Sequence, residues 1–143
     1  MAAPHFPGPA LGAFTLAKLT SQAGQNLFFA ALLLAAGTSD HAAAGLSSFF
    51  VAMLVASLAF GVPGGALADR IGPSRAFALG GLGRAAVILA WALEPGHGLA
   101  VPAAVFAYSA VSQAYSPAEM ALVRTLGHGR HGALHALVLT LQF

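Results

Sequence analysis

The sequence contains no cysteine and very little charge. The first absence excludes disulfides, thiol nucleophiles and thiolate metal sites. Charged residues make up 7% of the 143, against roughly 25% in an ordinary soluble domain. Six Lys/Arg and four Asp/Glu are too few to dress a water-soluble globule of this size. A net charge of +2 is likewise too small for a phosphate-binding face, so nucleic acid is excluded as a partner. What is abundant is apolar: 58% of the residues are hydrophobic, and the mean hydropathy is +0.80. Such a chain is expected to have the lipid bilayer as its main solvent. The 17 glycines and 8 prolines agree, because membrane helices tolerate both better than soluble ones do.

The charges fall in a pattern. None occurs between Lys18 and Asp40, or from His41 to Ala68. Only Arg84 lies between Arg75 and Glu94, and none occurs from Pro95 to Ala118. Each window approaches or exceeds the ~20 residues that cross a hydrocarbon core of ~30 Å as a helix. The expected architecture is all-α, a polytopic membrane bundle with four spans at about 11–36, 44–68, 75–93 and 99–126. Barrel strands are excluded, since stretches such as Phe28–Ala36 and Phe49–Phe60 do not alternate in polarity.

Short connections rich in turn residues separate the spans: Gly37–Asp40, Asp69–Ser74, Glu94–Gly98 and Gly127–Gly132. The second and fourth carry or adjoin Arg70, Arg75, Arg124 and Arg130, while the first and third carry no Lys or Arg. By the positive-inside rule the N-terminus and the Arg70 turn are cytoplasmic, and Asp40 and Glu94 lie outside. Residues 1–10, with three prolines, read as a cytoplasmic tail without the basic start of a signal peptide. After a cytoplasmic loop at 127–132, residues 133–143 begin another apolar run. At 1.5 Å per residue this run is about half the length needed to cross the core. It reads as the truncated start of a fifth span, and the chain as the N-terminal part of a longer one; a short interfacial helix is the alternative.

The turn between spans two and three reads Gly64-Gly65-Ala66-Leu67-Ala68-Asp69-Arg70-Ile71-Gly72-Pro73-Ser74-Arg75. It resembles the signature loop of the major facilitator superfamily, G-x-L-A-D-R-x-G-R-[RK], with Gly65, Leu67, Ala68, Asp69, Arg70 and Gly72 in register and Arg75 as its remaining basic residue. Tyr115-Ser116-Pro117-Ala118 and the following Ala121-Leu122 resemble the end of helix four in drug-efflux-like branches. Ser21–Gln25 resembles their first-helix stretch, with Gln25 where an acid is usual. The resemblance implies helices one to four of a secondary transporter and a partner in the C-terminal half of the same chain. It also implies a cytoplasmic latch role for the loop. Proton coupling is not implied: Ala110 stands where antiporters of the superfamily carry an arginine, three residues before Gln113. Independently of any family, Gly61-x-x-x-Gly65 forms a small-residue face that lets another helix approach. Asp69, at a helix C-terminus, needs a compensating positive group.

Three charges fall inside spans: Lys18, Arg84 and Glu119. An arginine at mid-span costs about 2.5–3.5 kcal/mol on insertion scales, so Arg84 should face protein or water. Glu119 is expected to pair with Arg84, or failing that with Lys18; a polar group on helix one is the other partner open to Arg84. Gln22, Gln25, Asn26, Tyr108, Ser112, Gln113 and Tyr115 are hydrogen-bonding groups deep in apolar spans and therefore candidate cavity residues. His128, His131 and His135 are spaced i, i+3, i+7, but Gly129 and Gly132 break the helix they would share. No metal, cofactor or catalytic residue is expected, because no nucleophile–base pair, phosphate-cradling loop or zinc signature is present.

The resulting expectation is a multi-pass transporter of the cell membrane that moves a small molecule by alternating access, in the direction of efflux, and is not an enzyme. Two alternatives stand beside it. One is a small four-helix multidrug transporter acting as a dimer, disfavoured because helix one offers Lys18 and no acid. The other is a non-transporting membrane scaffold or degenerate fragment.

Overall fold

The computed structural model describes residues 8–38, 41–93 and 100–126. Side chains are described within 12–38, 41–93 and 101–123. The histidines at 5, 97, 128, 131 and 135, Asp40, Glu94, Arg130, most of the tail, the loop at 127–132 and the segment at 133–143 lie outside the described residues. Among the described residues the chain is all-helical: α1 Gly8–Gly37, α2 Ala42–Ile71, α3 Pro73–Leu93 and α4 Ala100–Leu126. The four expected helices are present, each within three residues of its expected ends. α1 begins at Gly8, three residues before its expected start.

Two of the four, α2 and α3, are long and apolar enough to cross a membrane. α1 and α4 miss that mark for a local reason: they hold the long polar side chains, Lys18, Gln22, Gln25 and Asn26 on one, Tyr108, Gln113, Tyr115 and Glu119 on the other.

The expected six-residue loop after α2 contracts to a single residue. Helix continues through Asp69, Arg70 and Ile71, and α3 starts at Pro73, where the fixed φ of proline suits a first turn. Gly72 makes the whole turn with φ 86° and ψ 148°. Its N–H donates to Ala68 O at 3.1 Å, and its own carbonyl accepts from Ala76 N at 3.0 Å. That backbone region is essentially closed to residues with a Cβ and costs them about 1–3 kcal/mol. Gly72→Ala is therefore expected to lower stability by that amount, even though nothing lies within 4 Å of the added methyl. Denaturation followed by helical circular dichroism in detergent checks this, and an unchanged midpoint would show that the turn relaxes freely.

α4 is the hub, packed most extensively on α2 and then on α3; α1 joins α2 and α4 over shorter stretches. The close approach to α2 occurs at Gly64; of the expected pair, a Cβ on Gly61 would lie an ordinary 3.9 Å from Gln113 Oε1 and Gly65 takes no part. A Cβ on Gly64 would sit 2.9 Å from the backbone carbon of Gln113, whereas one on Gly65 would meet nothing within 4 Å. Gly80 of α3 repeats the contact, 3.0 Å from Tyr115 Cβ. The correction is geometric: residues 64 and 65 point about 100° apart around a helix, and α4 crosses α2 on the Gly64 side.

Two apolar clusters bracket the bundle. At the end away from Gly72, Phe28 and Leu32 of α1 meet Phe49 of α2 and Val105 and Tyr108 of α4. Phe28 also takes the edge of Trp91 at 5.7 Å. At the Gly72 end, Ala68, Ala76 and Ala118 pack together. Large apolar residues elsewhere point outward, including Leu27, Leu34, Leu58, Val62 and Leu82.

Candidate functional site

Between the two clusters lies a cavity of about 520 Å³. α1 supplies Lys18, Gln22, Gln25 and Phe29 to its wall. Their spacing of i, i+4, i+7 and i+11 puts all four on one helical stripe. α4 supplies a matching stripe, Tyr108, Ser112, Tyr115 and Glu119. α2 contributes Met53 and Ser57, and α3 contributes Arg84.

All three of the charges expected inside spans, Lys18, Arg84 and Glu119, are buried here. Lys18 Nζ lies 2.5 Å from Glu119 Oε1, an α1–α4 ion pair with both side chains less than a tenth exposed. The first-choice pairing of Glu119 with Arg84 is therefore not what forms; the second choice is. Arg84 instead takes the polar group on α1 that was its other expected partner. Its Nε donates to the Tyr108 hydroxyl at 2.7 Å, and its Nη2 donates to Tyr108 and to Gln25 Oε1. Its guanidinium carbon also lies 4.7 Å from the Tyr108 ring centroid and 4.5 Å from that of Tyr115. Cation–π contact of this kind is stronger where water is excluded. The exchange follows from how the helices are turned: Lys18 of α1 faces Glu119, while the planar fork of Arg84 meets stacking and hydrogen-bonding surface in the two tyrosines.

Six of the seven expected cavity residues line the space: Gln22, Gln25, Tyr108, Ser112, Gln113 and Tyr115. Gln113 Nε2 also donates to Ser57 Oγ at 3.1 Å, tying α4 to α2. Asn26 does not join them; it is exposed, one residue round the helix from Gln25. The sequence reading passed over Ser21, Ser57, Ser109 and Ser116, which also line the cavity. Helical spacing from Gln25 and from Ser112 finds Ser21, Ser109 and Ser116. Ser57 has no neighbour in α2 that marks it.

The signature-like stretch is at the other end of the bundle. Ala68 is buried, Leu67, Asp69, Arg70 and Arg75 are exposed, and Gly65 is half-buried. Asp69 makes no ion pair among the described residues. Arg70 sits beside it in the last turn of α2, where a cation favours the helix dipole. No group of three or more potential metal ligands occurs among the described residues.

No protein-family model matches the chain, and no curated protein or solved structure is significantly similar to it.

Proposed function

We propose that this chain is part of an integral membrane secondary transporter, with the cavity between α1 and α4 as half of its substrate path. The observation that carries the reading is the placement of polarity: buried charges and half-buried amides at the centre, bare leucine, valine and phenylalanine outside. Only 11% of the apolar window of α2 and 17% of that of α3 are buried within the bundle. A core helix of a soluble protein is mostly buried, so these faces are read as lipid-facing. The stretch from Gly65 to Arg75 supports the narrower assignment to the major facilitator superfamily, in its drug- or small-molecule-efflux branch. On this reading all four helices span the cell membrane, with the N-terminus and the Gly72 turn in the cytoplasm. The cavity is not enclosed, and alternating access needs a second bundle to face it.

The absence of cysteine makes the test direct. Single cysteines replace Gln22 and Ser112 in the cavity, Leu27 and Val62 on the outer face, and Ser74 beside the turn. The protein is then placed in bilayers and treated with a small hydrophilic thiol reagent. Positions 22 and 112 are expected to label, and 27 and 62 to stay protected. In intact cells position 74 should be unreachable from outside. Labelling of 27 and 62 with protection of 22 and 112 would overturn the membrane reading. Liposomes holding only this chain are expected to show no dye uptake above empty vesicles; saturable uptake would make a second copy the facing half.

A further inference from the structure

We propose that the cavity binds a singly charged organic anion, a carboxylate with an apolar body, using Arg84 as its anchor. This rests on the transporter reading and names the substrate class of that same site. The argument is one of charge. Three ionised side chains line the cavity: Lys18, Arg84 and Glu119. Lys18 and Glu119 neutralise each other at 2.5 Å. Arg84 is 95% buried, yet every partner it has among the described residues is neutral: an amide oxygen, a phenol oxygen and two aromatic faces. Among the described residues the site therefore carries one net positive charge, on a guanidinium whose Nη1 N–H groups are not taken by Tyr108 or Gln25 and can donate to a carboxylate.

Buried charges are ordinarily paired with an opposite charge, because desolvation is otherwise uncompensated. Here the described wall offers Arg84 no free carboxylate, since Lys18 holds Glu119, and the opposite charge is supplied by the ligand. The neutral partners hold the guanidinium in one orientation, and preorganisation lowers the cost of binding. The rest of the wall fixes the other half of the ligand. Phe29, Met53 and Met120 give an apolar and adaptable surface. Among the described residues of the wall, Glu119 is the one carboxylate a cationic ligand could meet, and Lys18 already holds it.

Three isosteric probes test the assignment on the full chain in detergent: 4-phenylbutyrate, its neutral amide and 4-phenylbutylamine. Calorimetric titration is expected to show the acid binding at least tenfold more tightly than the amide, with the amine weakest. The acid's advantage should shrink as salt is added. Arg84→Gln should abolish it and Arg84→Lys retain part of it. Should those variants fail to fold, the probe series on the unaltered chain still decides. Equal binding of acid and amide, tighter binding of the amine, or no binding of the acid at millimolar concentration overturns the proposal. Selective acid binding with cavity positions closed to the thiol reagent would instead keep this inference and remove the transporter reading.

Discussion

Lys18→Leu or Glu119→Leu alone is expected to cost about 3–5 kcal/mol, because each strands the other's buried charge. The double substitution should recover a large part of that loss. The expectation comes from the geometry of the pair, 2.5 Å apart with side chains 7% and 6% exposed. A buried ion pair contributes little net stability over a well-packed apolar pair, while half of one is a strong liability. Thermal unfolding of the four proteins in detergent closes a double-mutant cycle. A coupling near zero, with the two losses simply adding, would show that the residues do not share a site. Arg84 provides the contrast: since its partners are neutral, Arg84→Leu should show no comparable rescue when combined with Glu119→Leu.

Two adjacent glycines are expected to respond with opposite sign. Gly64→Ala puts a methyl 2.9 Å from the backbone of Gln113, and backbone yields less readily than a side-chain tip. α4 must move away, and overpacking of this kind costs about 1–3 kcal/mol, only partly offset by the gain of up to about 1 kcal/mol from replacing glycine in a helix. Gly65→Ala meets open space and keeps only the favourable part. The same unfolding assay reads both. Equal effects at the two positions would mean that α4 does not cross α2 at Gly64.

The helices were legible because charge is so scarce that each gap between charges marks one, and because Gly and Pro punctuate the gaps. Most of the cavity was legible for a related reason. A glutamine or tyrosine in an apolar run needs a partner or water, and Gln22, Gln25, Tyr108 and Gln113 all turn to the cavity on one side of their helices. Asn26 failed because polarity alone does not say which way a side chain points. The pairing of Glu119 failed because helical rise gives depth but not azimuth: Lys18 and Arg84 approach the same level, and which one reaches the carboxylate depends on how α1 and α3 are rotated. The length of the α2–α3 turn was hidden by its composition. Asp69, Arg70 and Ser74 look like loop residues, but the positive φ of Gly72 reverses the chain by itself and leaves them in helix.

The division of polarity among the helices bears on how such a bundle is built. α2 and α3 have the apolar windows, with mean hydropathies of 2.0 and 1.7, and α1 and α4 have the cavity. On the proposed membrane reading, the hairpin closed by Gly72 has the most apolar windows, although Arg84 of α3 waits for Gln25 and Tyr108 much as Lys18 of α1 waits for Glu119. A helix carrying a lone central Lys or Arg pays about 2.5–3.5 kcal/mol on insertion scales. α1 therefore arrives with Lys18 unpaid until α4 brings Glu119, and α4 is made last of the four. On the membrane reading proposed above, the ion pair that crosses the cavity also orders assembly: Lys18 of α1 has its counter-charge only once α4 is in place, and the cavity is complete only then.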